Sequence, residues 1–469
     1  MNVHVSPAAL TQSIELLSLS EEFAARARDP GLDVASAIGR ARDLSRMNMF
    51  ISLADSRDAE ALATARKTLP LQGMPIAIKD NIDVRGFACT AGTPALRDWR
   101  PPSDASVVKR LISAGAVIIG KTNLHELAAG VTSDNATFGR VLNPYGPAVI
   151  AGGSSGGSAV AVASGVVSVA LGTDTAGSCR VPASLSGCVG FKPTVGRYPA
   201  DGLIPLSLTR DAVGTFGRDV AHVMLVDCVL AGSTPAPIGS ISGKRLGVPR
   251  PYFYDNLDPD VRDTIELALE RLATAGAVLV ETEVVGIEEL TAAISIPIIM
   301  YEALRDIAAY LNCHQSPVTA WQIVKEVAGP VERGLFQTAL LNNPIAHHDY
   351  VSMLQAGRPA VIDAYRNCFV QAHLDALVLP TVPLPARALG VEGSVMWNGQ
   401  WVPSVQAYTR NTDPTSVAGM PSISIPAGLT RSGLPVGLSF DGLGGSDAGL
   451  LAIAFAAEKL LPPIARPML

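Results

Sequence analysis

The stretch GGSSGGSAVAVASGVVSVALGTDTAGS, residues 152–178, places two serine-bearing glycine loops on either side of a run of small residues. This run predicts a closely packed interior helix over 158–164 and a buried strand over 166–171. Glycine allows positive φ and a close approach of backbone to a ligand, so the N–H groups of each loop can converge on one point. Hydroxyls on such loops are candidate nucleophiles, and the stretch predicts a site where the strand ends.

Helices alternate with short apolar strands along much of the chain. Asp258 is a candidate N-cap for an amphipathic helix that runs to Thr274, and an apolar strand follows over 277–280. A similar helix and strand are predicted upstream, with Ser103 or Asp104 as the N-cap. Repeated units of this kind predict parallel strands that are covered by helices.

Two segments near the end of the chain, 422–425 and 436–440, flank a short loop and predict an antiparallel pair. The sequence therefore predicts the α/β class: an α/β/α domain with a large mixed, mostly parallel twisted sheet covered by helices. We expect the Pro-, Gly- and Ser-rich interval 231–243 to connect two parts of this sheet rather than two independent domains.

The predicted organisation is one domain over 1–469 with three parts. We expect an N-terminal helical arm over 1–67, which includes a possible helix start at Ser20. A core with the candidate catalytic residues follows over 71–230. A second half over 244–469 is expected to complete the sheet and the substrate pocket.

Composition excludes several classes of function. Hydrophobic residues make up 48% of the chain, charged residues 17%, and the formal net charge is −6. These values give no electrostatic footprint of nucleic-acid or membrane binding and favour a small neutral partner. Six scattered cysteines without a metal-ligand pattern, and no secretory signal, predict a cytoplasmic protein with reduced thiols and no metal site.

A lysine and two serines form the candidate catalytic group. Serine is a poor nucleophile unless a base removes its proton. Lys79 follows the apolar residues 76–78, and burial there would lower its pKa from about 10.4 towards neutrality, as a base requires. The Ser154 hydroxyl both donates and accepts, so it could relay protons between Lys79 and Ser178.

The turn that carries Ser178 is the candidate oxyanion hole, because successive N–H groups in such a turn can point at one oxygen. Its predicted backbone donors are Thr175, Ala176, Gly177 and Ser178. Four further residues are expected to support the site: Asp174, Ser155, Gly153 and Arg180. We expect Asp174 to bind neighbouring N–H groups. For Arg180 we expect a pair with a buried acid, and binding of a substrate carboxylate is the alternative.

Four residues are candidates for substrate contact, and ordinary packing is the alternative for the aromatic ones. They are Thr132, Trp397, Trp401 and Tyr408. The sequence His125–Glu126 is similar to the start of a zinc-binding helix, but the second histidine is absent, so a structural role is expected.

The run from 152–158 through 172–178 to Gly190–Phe191–Lys192–Pro193–Thr194 closely resembles the diagnostic stretch of the amidase signature family. The resemblance implies the amidase signature fold, with Ser178 as nucleophile, Ser154 as a bridging serine and Lys79 as general base. It also implies a cis peptide bond between Gly153 and Ser154, and no cofactor. Ala176 stands where the family usually has glycine, so its methyl group is expected to narrow the leaving-group side.

Further segments are similar to the branch of the family that contains indoleacetamide and mandelamide hydrolases. They are 196–199, 204–205, 209–211, 410–414 and 434–437. The branch implies hydrolysis of a primary arylacetamide-type amide to its acid and ammonia through an acyl-enzyme. The expected partner is a small amide, with a homodimer possible and neither nucleic acid nor membrane involved.

Other functions remain open or are disfavoured by the sequence. An allophanate hydrolase or another ureido amide hydrolase shares the Thr–Ala–Gly–Ser turn, and an amidotransferase subunit would need partner proteins and transfer RNA. A non-catalytic binding protein would not need the lysine and two serines. Residues 152–156 also match the G-x-S-x-G nucleophile elbow, but the last histidine is His373, and the chain beyond it contains no partner for that mechanism.

Overall fold

The computed structural model describes residues 33–341, 345–390, 393–465, 467 and 469. Its centre is an eleven-stranded sheet, and a two-stranded hairpin lies apart from it. The strands are β1 Phe50–Leu53, β2 Pro75–Lys79, β3 Val117–Thr122, β4 Val169–Asp174, β5 Val189–Lys192, β6 Ala212–Gly217, β7 Arg245–Pro249, β8 Val278–Thr282, β9 Ala376–Pro380, β10 Ser394–Trp397, β11 Gln400–Pro403, β12 Ser422–Leu429 and β13 Pro435–Asp441.

Helices surround the sheet. They are α1 Val34–Asp43, α2 Ser56–Ala65, α3 Ser106–Ser113, α4 Gly156–Ala163, α5 Arg180–Ser186, α6 Val220–Ala231, α7 Pro259–Thr274, α8 Ile287–Cys313, α9 Ala320–Glu326, α10 Pro330–Leu341, α11 His347–Ser352, α12 Arg358–Ala372, α13 Ser404–Thr409, α14 Asp413–Val417 and α15 Asp447–Glu458. Short helical segments cover Ser45–Met47, Pro94–Leu96, Glu126–Ala128, Arg250–Phe253 and Met353–Gly357. Within the described ranges, none of the helices combines the length and apolar character needed to cross a bilayer.

The sheet is covered on both faces, because successive residues of a strand point to opposite sides. Ile76 and Ile78 of β2 belong to a core cluster that includes residues of α3, α6, α7 and α15. Ala77, which lies between them, belongs to a second cluster with residues of α1 and α4. This arrangement is the predicted α/β/α architecture.

The strand order is β1-β3-β2-β4-β6-β5-β12-β13-β9-β7-β8, and the predicted mixed sheet is present. Parallel pairs form two groups, β3-β2-β4 and β9-β7-β8. The remaining neighbours pair antiparallel, including the whole centre from β4 to β9. The helix-then-strand units form only the two parallel groups on either side of the antiparallel centre. Parallel strand pairs are therefore a smaller part of the sheet than these units suggested.

The predicted helical arm is partly wrong. Residues 1–32, with Ser20, lie outside the described residues. In the remainder, α1 and α2 are helical, but Phe50–Leu53 is a strand that pairs antiparallel with β3 at the edge of the sheet. The bulky apolar side chains of this short segment suit a sheet edge better than an exposed helix.

The two predicted helix starts have different outcomes. Asp258 is the N-cap of α7, and its side chain accepts a hydrogen bond from Asp260 N, as expected. Upstream the cap is wrong: α3 begins at Ser106 after Ala105, which provides no side-chain cap. The Asp104 carboxylate instead accepts from Arg85 N at 2.7 Å. The antiparallel pair of β12 and β13 is confirmed, with Ile423 opposite Phe440.

Candidate functional site

Lys79 is the last residue of β2 and lies where three parallel strands end. Because β3, β2 and β4 run in the same direction, their carboxyl ends share one edge of the sheet, where ligands bind in α/β folds. The Lys79 side chain is fully buried. Its Nζ donates to Ser154 Oγ at 2.7 Å and to Thr173 Oγ1 at 2.8 Å. Two residues of the predicted group are thus in direct contact.

The surroundings of Lys79 favour its neutral form. Burial lowers its pKa to about 8, and the acidic side chains of Asp211 and Asp174 only partly oppose this effect. Lys121 on the adjacent strand is equally buried but forms an ion pair with Asp80 at 2.8 Å. Burial would lower the pKa of Lys121, yet the carboxylate outweighs it and raises that pKa. Of this pair, Lys79 is therefore the one suited to accept a proton.

The loop that carries Ser154 is fixed by its own backbone. Gly152 has φ +82°, and a Cβ atom there would lie 2.6 Å from Pro182 Cα, so glycine is required. The peptide bond between Gly153 and Ser154 is cis. The Ser154 carbonyl accepts from His125 N at 3.0 Å. From this loop the Ser154 hydroxyl meets Lys79 Nζ.

Ser155 joins this loop to β4 and to the second serine loop. Its Oγ donates to Thr173 O at 3.1 Å. Its backbone N–H donates to the carbonyl of Ser178 at 3.2 Å. The two glycine loops, separated in sequence by the helix α4 and strand β4, are therefore held side by side.

Asp174 organises the turn that follows β4. Its carboxylate accepts hydrogen bonds from Arg180 Nε at 3.1 Å, from Arg180 Nη2 at 3.0 Å and from Cys179 N at 3.0 Å. Burial alone would raise the pKa of Asp174, but the Arg180 guanidinium prevails and holds it at about 2. The expected contacts of Asp174 and Arg180 are thus present. Removing either partner would leave an unpaired buried charge.

The predicted oxyanion hole needs one correction. Gly177 N donates to Asp174 Oδ1 at 2.8 Å, so this N–H group is already bound to the carboxylate. A side chain at Gly177 would also collide with Thr412, whose Oγ1 would lie 2.2 Å from the added Cβ. Candidate donors to an oxyanion are therefore the N–H groups of Thr175, Ala176 and Ser178.

A cavity of about 180 Å³ opens beside Ser178. Dry cavities of about 150 Å³ hold benzene, so this one can accept a single aromatic ring system. Its lining is mainly apolar, with Ser178 and the preceding turn at one side. The lining residues are Ala128, Ala129, Gly130, Val131, Thr175, Ala176, Ser178, Leu206, Ser295, Ile296, Ile299, Val331, Leu335, Val405, Thr409 and Asp413.

The four residues predicted to contact substrate lie outside this lining. Tyr408 is fully buried and donates to Pro385 O, while Trp397 donates to Asn256 O. Trp401 is 58% exposed on the hairpin. Thr132 is hydrogen-bonded to His125 Nδ1 at 3.1 Å. These contacts favour the alternative of ordinary packing for Trp397 and Tyr408, and aliphatic side chains from α8 and α10 take part in the cavity lining.

Several residues that border the site were missed. Thr173 Oγ1 accepts a hydrogen bond from Lys79 Nζ. The Asp211 carboxylate accepts hydrogen bonds from Thr175 Oγ1 and Leu206 N. Arg210 is fully buried and contacts Asp413. The segments 209–211 and 410–414 are similar to the family branch, which is a usable signal. Their meeting across the fold could not be deduced from spacing.

The chain is similar to known proteins over most of its length. A family model described as Amidase matches residues 38–451. The indoleacetamide hydrolase of Agrobacterium vitis is 43% identical over 393 residues, which cover 83% of this chain and 84% of that protein. The mandelamide hydrolase of Pseudomonas putida is 38% identical over 454 residues, covering 91% and 87%. The X-ray structure of the peptide amidase from Stenotrophomonas maltophilia superimposes with a TM-score of 0.79 at 30% identity, covering 93% and 95%.

Proposed function

The chain belongs to the amidase family and is an amide-hydrolysing enzyme; on this premise we propose that it releases ammonia from a primary amide with an apolar, ring-bearing acyl group. The observation that carries the proposal is the buried contact of 2.7 Å between Lys79 Nζ and Ser154 Oγ, on a loop that is hydrogen-bonded through Ser155 N to the carbonyl of the cavity residue Ser178. The similarity to indoleacetamide and mandelamide hydrolases supports the same substrate class.

The proposed reaction passes through an acyl-enzyme. Neutral Lys79 accepts a proton from Ser154, and Ser154 accepts one from Ser178. At the same time Ser178 Oγ forms a bond to the amide carbon. N–H groups of Thr175, Ala176 and Ser178 stabilise the negative oxygen of the tetrahedral intermediate. The relay then returns the proton to the departing nitrogen, the C–N bond breaks, and ammonia leaves. Water enters by the same relay and releases the acid.

The cavity lining favours this substrate class over a small ureido anion. Aliphatic side chains dominate the lining, and no lysine or arginine is among its described residues. A carboxylate such as that of allophanate would lose its hydration there without gaining a cation. An amidotransferase subunit would depend on partners, so hydrolysis of free amides by the isolated chain would argue against it.

The experiment is an ammonia-release screen of phenylacetamide, indoleacetamide, mandelamide, allophanate and short aliphatic amides. We expect turnover of the arylacetamides, and loss of both turnover and fluorophosphonate labelling in Ser178→Ala. The matched control is Ser184→Ala, because Ser184 is a buried serine outside the cavity lining. Undiminished turnover in Ser178→Ala would reject the nucleophile, and preference for allophanate would reject the substrate class.

A further inference from the structure

Asp413 is the one ionisable side chain among the described residues that line the cavity. It lies at the start of α14, and its side chain is 16% exposed, whereas its partner Arg210 is completely buried. A carboxylate is an unexpected component of an otherwise aliphatic wall, because charged groups lose favourable hydration in such surroundings. The contacts of Asp413 explain how it is held there.

Arg210 lies behind the cavity wall and neutralises the negative charge of Asp413. Its Nη2 donates to Asp413 Oδ1 and, at 3.1 Å, to the carbonyl of Thr175. Its Nη1 donates to the carbonyl and the hydroxyl of Ser295, both at 2.9 Å. The guanidinium therefore fixes the carboxylate relative to the turn before Ser178 and makes the pair neutral as a unit.

The second carboxylate oxygen of Asp413 is available to a ligand. Oδ2 has no hydrogen-bond partner within the described ranges, and the side chain retains exposed surface at the cavity. A neighbouring hydroxyl does not compete for it, because Thr409 Oγ1 donates to Val405 O at 2.8 Å. The wall thus presents one carboxylate oxygen as a hydrogen-bond acceptor in a mainly apolar space.

We propose that Asp413 Oδ2 accepts a hydrogen bond from an N–H or O–H group on the acyl part of the amide. The inference rests on the proposed function and narrows its substrate class to ring-bearing amides with a neutral donor. A donor that enters an apolar cavity loses its bond to water, and Asp413 replaces that bond. Because Arg210 already neutralises Asp413, the pair has no net negative charge to offset the loss of hydration of an ammonium group at the same position.

The test compares isosteric substrates that differ only in the donor. Ring-position isomers of indoleacetamide present the indole N–H in different directions, and each has a benzofuran counterpart that lacks the donor. We expect native protein to prefer at least one indole isomer by about tenfold in kcat/KM, because sites built for a hydrogen bond discriminate against analogues without it. The ratio should fall towards one in Asp413→Asn, which turns its amide N–H₂ to the cavity while its oxygen faces Arg210.

Two further variants assign the effect. Thr409→Val removes a cavity hydroxyl that is already bonded to the backbone, so the indole-to-benzofuran ratio should stay unchanged. Asp413→Glu keeps the charge pair but displaces the oxygens, so the preferred isomer should change, and this variant decides the matter should Asp413→Asn fail to fold. A native ratio near one for every isomer, or a ratio unaffected by both changes at Asp413, would overturn the inference. Failure of all amides to react would instead reject the proposed function.

Discussion

The partners of the buried lysines separate their roles. Lys79 contacts two hydroxyls, whereas Lys121 contacts the carboxylate of Asp80. Lys192 is also fully buried, and burial lowers its pKa to about 7, but its Nζ donates to the carbonyl of Pro193. A lowered pKa alone therefore does not identify a base. The adjacent serine hydroxyl does, and it makes Lys79 the candidate.

The pH dependence should report Lys79. Since its pKa is lowered to about 8, Lys79 is neutral above that pH and protonated below it. We expect kcat/KM for an uncharged amide to be level above pH 8 and to fall by about tenfold per pH unit below it, because only the neutral amine accepts a proton. Steady-state rates across the pH range with a non-ionising substrate measure this. A level profile down to pH 6 would contradict the assignment.

A substitution at Asp211 shows whether Lys79 or Lys192 causes this fall of kcat/KM below pH 8, which we call the acidic limb. The negative charge of Asp211 raises the pKa of Lys79, while the acids that act on Lys192 are Asp174, Asp447 and Asp441. In Asp211→Asn the limb should therefore move to lower pH. The substitution also disturbs Thr175 and can lower the rate at every pH, so the pH at which kcat/KM falls is the decisive quantity. If that pH does not change, a group other than Lys79 causes the fall.

Replacing Lys79 and Lys121 by methionine should give opposite results. Lys79→Met should lose about 10²–10⁴-fold in kcat/KM, as expected for removal of a general base, and should retain its thermal stability because no charged partner is left behind. Lys121→Met leaves Asp80 as an unpaired buried carboxylate and should lower the free energy of unfolding by about 3–5 kcal/mol. Thermal unfolding and rates of both variants check this. Equal losses of stability in the two variants would contradict the premise that the removal of Lys79 leaves no charged partner unpaired.

Local sequence signals predicted some elements and missed others. The start of α7 was predictable because Asp258 and the following proline act within a few residues of each other. The cap before α3 was not, because Asp104 bonds to Arg85, a distant neighbour that the local pattern does not reveal. The edge strand Phe50–Leu53 was missed for the same reason: its hydrogen bonds are made with β3. Elements are predictable where their determinants are local.

The cap of α7 gives a stability prediction. Asp258→Ala removes the acceptor for Asp260 N and the contact with Arg387, and should lower the free energy of unfolding by about 1–2 kcal/mol. Asp258→Asn preserves the capping acceptor and should retain much of that stability. Because α7 contributes no residue to the cavity lining, kcat/KM should be unchanged in both. Denaturant unfolding measures the difference, and equal stability of the two variants would contradict the capping role.

The two halves of the chain form one sheet. Strand β5 of the first half pairs with β12 of the second, and α5 packs against β12 and β13. The candidate catalytic residues could be proposed from the sequence because the two serines lie in the short stretch 152–178 and Lys79 ends an apolar strand upstream. The cavity could not, because residues 128–131 and Leu206 of the first half line it together with residues of α8, α10 and the segment around 405–413, and only the folded sheet brings these parts to Ser178.

This organisation predicts that a cut between the halves is tolerated. Residues 237–240 are exposed in the connection before β7, so a protease site inserted there should be cleaved without displacing a strand. The two fragments should elute together in size-exclusion chromatography and retain amide hydrolysis, because the β5 and β12 pairing does not depend on the connection. An uncleaved sample and a sample cleaved in denaturant are the controls. Separation of the fragments under native conditions would contradict a shared sheet core.

The origin of the cavity walls has a practical consequence. Lys79, Ser154 and Ser178 belong to the first half, whereas Ile296, Ile299, Leu335 and Val405 belong to the second. A mutant library confined to these four aliphatic positions could alter which carboxylic acids the enzyme produces and leave its proton-transfer machinery intact. Evolution has the same freedom, so new substrate preferences can arise in this scaffold without reinventing its chemistry.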